Sequence, residues 1–357
     1  MGCALNAVVL QEAARRTSTA AADAYYARAA KHLTRAIAIN DSVPSNSSLY
    51  KGTTGLGWAV QIFDEPGRLP WREEFLQYLD FELASALRAS DEIELDIVNG
   101  FAGIMIYALA REQCAPGYAP MWTVIADKVF QIFSHWLQII DYGAEASEYR
   151  NLGLAHGIPG VISVAAAAAA RGLLSPQAVD VVVKSLGRLW ELRLPVGNSF
   201  SYEVGKSQRA RLAWCYGGIG IAAVFRSSVQ ISSHSMDRFE MICDACMDQY
   251  FEHDHGLKDA SVCHGHAGVA LAFSAFANTK GIEPNRAKRL TDLADRASET
   301  ALAQEKKSAH GPVFLFSTSS GYREHASFLE GSPGVALALS AGQTPNRSSC
   351  LDLLGYF

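Results

Sequence analysis

The chain alternates between two kinds of hydrophobic pattern. Residues 104–110 (IMIYALA), 161–170 (VISVAAAAAA) and 335–341 (VALALSA) are apolar nearly all round, which predicts helices that are buried on every side. Residues 71–90 and 285–304 place apolar side chains at helical spacing and charges on the opposite face, which predicts helices of an outer layer. The alternation indicates pairs of one inner and one outer helix.

Each apolar segment follows the same glycine motif. GxxG occurs six times in this setting, and successive copies lie 48 to 66 residues apart, about the length of two helices with their connections. The chain is therefore predicted to be a repeat protein built from helical hairpins. The first glycines of the motifs are Gly52, Gly100, Gly157, Gly217, Gly265 and Gly331.

Inner helices without a polar face need cover on all sides. An inner ring of helices wrapped by an outer ring supplies that cover, so the predicted fold class is all-α, an α/α toroid. The repeats extend from Gly52 to Gly334 and leave no room for a second domain. Residues 1–357 are predicted to form one domain, with residues 1–47 as an N-terminal outer helix region.

Composition and charge exclude several classes of protein. Lys and Arg number 31 against 36 Asp and Glu, the net charge is -5, and no long basic run is present, so nucleic acid is not expected as a partner. The longest apolar run, at residues 165–170, is shorter than the roughly 20 residues that span a bilayer. Residues 1–16 lack the pattern of a secretory signal, and seven cysteines suit a reducing compartment. We predict a cytoplasmic protein.

Side chains with useful chemistry lie at the predicted entrances of the inner helices. Cys215 precedes its glycine by two residues, and Cys263 and His264 precede theirs by two and one. His156 precedes its glycine by one residue and Asp96 by four. If every inner helix points the same way, these side chains meet at one end of the ring.

Two thiolates and an imidazole are ligands that zinc prefers, and three protein ligands leave a fourth position open for catalysis. The alternative for Cys215 or Cys263 alone is a small buried core residue, so the prediction depends on the combination with His264.

His156 alone is explained equally well by a structural role at the start of a helix. Asp96 alone can be explained as an acidic residue that stabilises the start of a helix, although it precedes the motif glycine by four residues, which is far for a helix cap. Cys243 and Cys246 form a CxxC inside an amphipathic segment, where core packing is the better interpretation.

Six strings, one at each motif, resemble the signature of the LanC lanthionine synthetases, in the order in which that family has them. The resemblance extends over nearly everything from residue 48 to the C-terminus, and it implies an α,α-toroid of seven helical hairpins. Six GxxG copies are visible, so a seventh hairpin has to lack the motif. The strings are SLYKGTTGLG (48–57), LDIVNGFAG (95–103), AHGIPG (155–160), RLAWCYGG (211–218), CHG (263–265) and FLEGSPGVALAL (328–339).

The resemblance implies a zinc-dependent lanthipeptide cyclase. Such an enzyme adds cysteine thiols to dehydroalanine or dehydrobutyrine in a dehydrated precursor peptide and forms lanthionine or methyllanthionine rings. Carried over by position, Cys215, Cys263 and His264 bind Zn²⁺. A separate dehydratase is implied as a partner, since no such domain fits before Ser48, and peripheral association with a biosynthetic complex is compatible with the absence of a membrane span.

The same resemblance implies roles for four further residues. His156 is the candidate acid-base residue, and Asp96 orients it or holds its charged form. Arg211 stabilises the enolate, and Tyr216 hydrogen-bonds the metal-held species or the substrate carbonyl. The alternatives are a surface-facing basic residue for Arg211 and a wall residue for Tyr216.

Two other functions remain open at this point. One is a LanC-like enzyme that adds a small thiol such as glutathione to dehydro residues. The other is a non-catalytic scaffold in which zinc only ties two inner helices together. Loss of ring formation with zinc retained, on replacing His156 or Asp96, separates the scaffold from the enzymes.

Overall fold

The structure is a computed structural model that describes residues 2–40, 46–90, 93–114, 119–140, 147–252, 255–309, 311–342 and 350–357. The chain divides into two compact units, Met1–Lys128 and Val129–Phe357. The helices in the described ranges are α1 (Gly2–Arg15), α2 (Thr19–Asn40), α3 (Thr53–Gln61), α4 (Arg72–Ala89), α5 (Phe101–Cys114), α6 (Ala119–Ile139), α7 (Ser147–Arg150), α8 (Ile158–Ala170), α9 (Pro176–Glu191), α10 (Gly218–Ser227), α11 (Ser235–Phe251), α12 (His266–Ala277), α13 (Pro284–Leu302), α14 (Ser332–Gly342) and α15 (Cys350–Leu353).

Six helices begin directly after the first glycine of a GxxG motif: α3, α5, α8, α10, α12 and α14. Residues 158–168 of α8 and 266–276 of α12 are all buried, as the apolar pattern predicts. Within the first unit α3 contacts α5, and within the second unit α8 contacts α10, α10 contacts α12 and α12 contacts α14. The predicted inner helices are thus neighbours in chain order.

Glycine is required at the start of these helices because the preceding turn lies against the first helical turn. Gly217 has φ of 87°, a region that other residues rarely adopt, and a Cβ there would lie 2.2 Å from the Arg211 carbonyl oxygen. A Cβ on Gly268 would lie 2.0 Å from the Val262 carbonyl oxygen. Any side chain at these positions would push the turn away from its helix.

The segments predicted as outer helices form α4 and α13, and α9 and α11 are of the same kind. In α9, Val182, Leu186 and Leu189 are fully buried on one face, and each such side chain contributes about 1.5–3 kcal/mol to folding. The Ser175 side chain accepts a hydrogen bond from the Ala178 N–H at 3.3 Å and caps this helix. α9 packs on α8, α11 on α10 and α13 on α12, which are the predicted hairpins.

Residues 2–40 contain two helices that pack on each other and on α3. α1 buries Ala4, Ala7, Val8 and Ala14, so it resembles an inner helix, although no GxxG precedes it. α2 leaves most of its surface exposed. A helical hairpin without the motif therefore exists in the region predicted as an outer helix, and the single domain over residues 1–357 stays a prediction.

Residues 306–324 form strands that the sequence pattern did not predict. β1 (Lys306–Ser308) pairs with β2 (Gly311–Val313), and β3 (Leu315–Thr318) pairs with β4 (Gly321–Glu324), both antiparallel. Each strand has only three or four residues, too few for an alternating pattern to stand out. Gly311 and Gly321 adopt φ of 117° and 113° and start the return strands.

None of the helices in the described ranges is both long enough and apolar enough to cross a lipid bilayer.

Candidate metal centre

A series of backbone hydrogen bonds joins the turns that lead into four inner helices of the second unit. The Cys263 N–H donates to the Leu329 carbonyl at 2.9 Å, the Cys215 N–H to the Cys263 carbonyl at 3.4 Å, and the Ala155 N–H to the Cys215 carbonyl at 3.4 Å. All four residues lie two positions before the first glycine of their motif. We call this series the entry ladder.

The entry ladder explains why distant cysteines meet. Residues that share a repeat position become lateral neighbours, much as paired residues do in a sheet. Of the four ladder positions only two adjacent ones carry cysteine, Cys215 and Cys263, so their thiols are brought side by side. His264 follows Cys263 directly, and the ligand atoms of the three residues all lie within 4.8 Å of one another.

The spacing and burial of this cluster fit a metal ion. Ligand atoms around a tetrahedral zinc with two sulfurs and one nitrogen lie about 3.5–4 Å apart, so the three groups need to move by only about 1 Å. Cys215 is 3% exposed, and Cys263 and His264 are partly exposed. The cluster is thus enclosed on the Cys215 side and accessible on the other.

Electrostatics around the cluster favour an anionic sulfur. A hydrogen bond from Cys263 lowers the pKa of Cys215 well below that of an ordinary thiol, and this effect exceeds the opposing effect of burial. A hydrogen bond from His264 and the positive charge of Arg211 lower that pKa further. These contacts favour the thiolate form of Cys215 over its thiol form.

Asp259 supports the turn that carries His264, and the sequence analysis missed it. Its carboxylate is fully buried. One oxygen accepts the Ser261 N–H at 2.8 Å, and the other accepts the Ser317 N–H at 2.8 Å and lies 4.0 Å from His264 Nε2. The D-x-S spacing is typical of an Asx turn, which is the signal that would have found it.

A second row of side chains lies one residue after the ladder positions and includes His156, Tyr216 and His264. His156 is exposed, and its ring centroid lies 6.0 Å from that of Tyr216. The Tyr216 hydroxyl accepts a hydrogen bond from Asn151 Nδ2 at 3.1 Å, and burial raises its pKa. The structure thus brings the predicted His156 and Tyr216 together and adds Asn151, which sequence reasoning did not single out.

Arg211 is partly buried, and its charge acts on both thiols of the cluster. Its backbone N–H donates to the Tyr202 hydroxyl at 3.1 Å. The charge of Arg211 adds to the lowering of the pKa of Cys215, whereas at Cys263 the hydrogen bond to Cys215 and burial raise the pKa and Arg211 offsets them only in part. Among the described residues, its buried Nε atom has no hydrogen-bond partner. A buried guanidinium donor without a partner is a ready site for an anionic group.

Asp96 belongs to the first unit, where it is 5% exposed. One carboxylate oxygen accepts the backbone N–H of Asn99. This bond closes the turn before α5 and does not reach the helix, which begins at Phe101, so the catalytic role of Asp96 stays a prediction. Ser48, Ser261 and Ser327 at the same repeat position accept the corresponding N–H groups.

Cys243 and Cys246 lie inside α11 and are both fully buried. Burial raises the pKa of each thiol well above the ordinary value. Neither residue belongs to the metal-ligand cluster found among the described residues. The core-packing interpretation of this CxxC is confirmed.

A profile described as "Lanthionine synthetase C-like protein" matches residues 2–354. The chain belongs to this family. The curated protein "Nisin biosynthesis protein NisC" of Lactococcus lactis subsp. lactis is 26% identical over 148 residues, which cover 36% of this chain and 34% of that protein. The match thus spans about a third of the length of this relative.

A solved structure described as "Nisin cyclase" is similar over almost the whole of this lanthionine synthetase C-like chain. The TM-score is 0.72 at 18% sequence identity, with 98% of this chain and 90% of the other covered. This likeness confirms the predicted fold class, an all-α toroid of helical hairpins.

Proposed function

We propose that this protein is a zinc-dependent lanthipeptide cyclase, which closes thioether rings in a dehydrated precursor peptide. The observation that carries the proposal is the convergence of Cys215, Cys263 and His264 on one partly accessible point in a lanthionine synthetase C-like chain. The similarity to nisin cyclase supports the same reaction class.

Cys215, Cys263 and His264 would hold the zinc ion. The soft donor set and the close spacing favour zinc over magnesium or calcium, which prefer oxygen ligands. When bound, zinc would supply Lewis-acid chemistry that lowers the pKa of a substrate thiol. Asp259 fixes the turn that presents His264, as partners of metal ligands do in other sites.

In the proposed reaction the substrate thiolate attacks the β-carbon of a dehydro residue. A C–S bond forms, the C=C π bond breaks, and the electron pair passes through the α-carbon to the carbonyl oxygen as an enolate. Arg211 stabilises that negative charge with its unsatisfied Nε–H donor. His156 then delivers a proton to the α-carbon, and its exposure allows it to exchange protons with solvent.

Tyr216 and Asp96 have supporting roles in the proposal. The Tyr216 hydroxyl already accepts a hydrogen bond from Asn151, which leaves its own proton available for the substrate carbonyl. The role of Asp96 in orienting His156 stays a prediction, and its carboxylate accepts the N–H of Asn99 within the first unit. The cytoplasmic location and a separate dehydratase as partner also stay predictions.

The proposal is tested with a synthetic peptide that contains one dehydroalanine and one cysteine. Ring closure leaves the peptide mass unchanged and consumes its free thiol, so a maleimide added afterwards no longer labels it. The zinc-loaded wild type is expected to protect the peptide from labelling. The His156→Ala variant is expected to retain zinc and to lose about 100- to 10,000-fold in rate, the usual contribution of acid-base catalysis.

The same assay separates the competing functions. With glutathione present, an enzyme that adds small thiols would increase the peptide mass by one glutathione. A non-catalytic scaffold would bind the peptide and leave the thiol free. Either result, with zinc measured in the protein, would overturn the cyclase proposal.

A further inference from the structure

The β3–β4 hairpin is fastened to the turn that carries the candidate metal ligands. The Ser317 N–H donates to Asp259 at 2.8 Å, the Tyr322 hydroxyl to the Lys258 carbonyl at 3.1 Å, and the Phe314 N–H to the Ser332 side chain at 2.9 Å. These bonds hold both strands close to His264. The hairpin is therefore a fixed part of the surroundings of the site.

Phe316 is the hairpin residue that reaches the site. Its ring centroid lies 5.0 Å from that of His264, with the planes tilted by 58°. Phe316 is only partly buried, and the side chain of His264 is 17% exposed. An aromatic face and a candidate metal ligand therefore border the same accessible space.

Charged residues also lie around the cluster and the hairpin. Arg211 lies near the two thiols, Glu330 precedes the last GxxG motif, and Arg323 is the cross-strand partner of Phe316 and shares its face of the hairpin. Phe316 is the apolar element among these groups. A peptide held at the cysteine cluster would meet it with a side chain next to the reacting residue.

We propose that Phe316 is a specificity-determining residue that packs against the side chain flanking the reacting cysteine of the substrate peptide, and that it favours apolar flanking residues. This inference rests on the proposed cyclase function and names a feature of its substrate. Covering a leucine-sized side chain with an aromatic ring removes apolar surface from water, so an effect of roughly tenfold in kcat/KM is expected.

The experiment compares two peptides that differ only in the residue before the cysteine, leucine in one and glycine in the other. Wild type is expected to close the leucine peptide about tenfold faster in kcat/KM. Phe316→Ala is expected to lose that preference through a higher KM for the leucine peptide, with the glycine peptide changed less than about threefold. Phe316→Leu keeps an apolar surface and is expected to retain part of the preference.

A second readout does not depend on turnover. Unreactive peptides with serine in place of dehydroalanine are titrated into zinc-loaded protein, and the ratio of their dissociation constants is expected to follow the same pattern. Zinc content is expected to be unchanged in Phe316→Ala. The matched control is Phe251→Ala, which removes a 59% exposed aromatic side chain at the end of α11 and is expected to leave the preference intact.

The outcomes separate this inference from the function on which it rests. If wild type closes both peptides but Phe316→Ala slows them equally or loses zinc, Phe316 only supports His264 and the specificity role is overturned. If the zinc-loaded wild type closes neither peptide, the cyclase proposal itself fails. A preference that disappears in Phe316→Ala and persists in Phe251→Ala supports the inference.

Discussion

Two pairs of cysteines in the second unit carry the same side chain in opposite environments. Cys215 and Cys263 lie in different repeats and meet through the entry ladder. Cys243 and Cys246 lie three residues apart on α11, where burial is the largest influence on both thiols and raises their pKa. The pair that is distant in sequence has the chemistry of a metal site, and the CxxC pair has that of a hydrophobic core.

Burial alone does not explain the difference, because Cys215 is also 3% exposed. Burial raises the pKa of all these thiols, but Cys215 receives a hydrogen bond from Cys263 and the influence of His264 and Arg211, and its pKa falls. At Cys246 the charge of Arg209 opposes the effect of burial only in part, and the pKa rises. The polar groups around Cys215, at the start of an inner helix, therefore account for its lower pKa and for the greater reactivity expected of it.

The largest expected difference is in alkylation rate. In metal-free native protein, the Cys215–Cys263 pair has one sulfur with a lowered pKa in a partly exposed cluster. Alkylation of that pair by a maleimide is expected to be at least about 1000-fold faster than alkylation of Cys243 and Cys246, which have to wait for unfolding. Because the pKa of Cys215 is lowered, its thiolate persists as pH falls, so its rate should decrease less between pH 8 and 6 than that of free cysteine. Site-resolved mass spectrometry measures each rate.

Equal labelling rates for all four thiols would show that the two pairs of cysteines do not differ in reactivity. Zinc supplies an internal control, since loading should protect Cys215 and Cys263 and leave the slow labelling of the α11 pair unchanged.

The next largest effect is on zinc affinity. Cys263→Ala removes one proposed ligand and is expected to weaken zinc binding more than about 100-fold, since loss of an outer partner alone costs 10- to 100-fold. Cys243→Ala, the matched change in the core pair, should leave the affinity within about threefold. Competition with a chromophoric chelator measures both. Full zinc affinity in Cys263→Ala would eliminate the proposed site.

The repeat pattern predicted the helices and the site positions for a clear physical reason. A Cβ on Gly217 or Gly268 would lie 2.0–2.2 Å from a carbonyl oxygen, so larger residues cannot replace these glycines. Helices that are apolar all round also leave a strong signature in the sequence. Positions counted back from these glycines placed Cys215, Cys263 and His264 together, although the entry ladder that joins them is visible only in the structure.

The hydrophobic periodicity and the GxxG spacing did not predict other features of the structure. The strands around Phe316 are too short to show alternation, and Asp259 contacts Ser317 across 58 residues of chain, a pairing that no local signal reveals. Asp96 closes the turn before α5 by accepting the Asn99 N–H, a local bond that the spacing of the motifs did not specify. Tertiary contacts between loops, rather than propensities, determine these details.

A smaller effect is expected at the carboxylate behind the site. Asp259→Asn retains one acceptor oxygen but loses the second, so it should loosen either the Ser261 or the Ser317 contact and with it the orientation of His264. Zinc affinity is expected to fall about tenfold, at the low end for outer partners of a metal ligand. The absorption spectrum of the Co²⁺-loaded variant should also shift, which a loss of stability alone would not cause.

An unchanged Co²⁺ spectrum and zinc affinity in Asp259→Asn would show that Asp259 acts only on the hairpin. Ser317→Pro removes the hairpin N–H while keeping the carboxylate, and it provides the matched control for that outcome.

The smallest expected effect is on the free energy of unfolding. Here replacing a cysteine of the α11 pair should cost more than replacing one of the metal-site pair. Cys243 is fully buried in a packed face of α11, so Cys243→Ala leaves a small cavity and should lower the free energy of unfolding by about 1–2 kcal/mol. In metal-free protein Cys215→Ala is expected to cost less, about 0–1 kcal/mol, since it also removes a thiolate held in a buried place. Urea denaturation measures both changes, because a shift of the unfolding midpoint at constant m-value reports a change in the free energy of unfolding. A larger loss for Cys215→Ala would mean that the metal-site cysteine is also a structural one, because the entry ladder itself uses only backbone groups and survives the substitution.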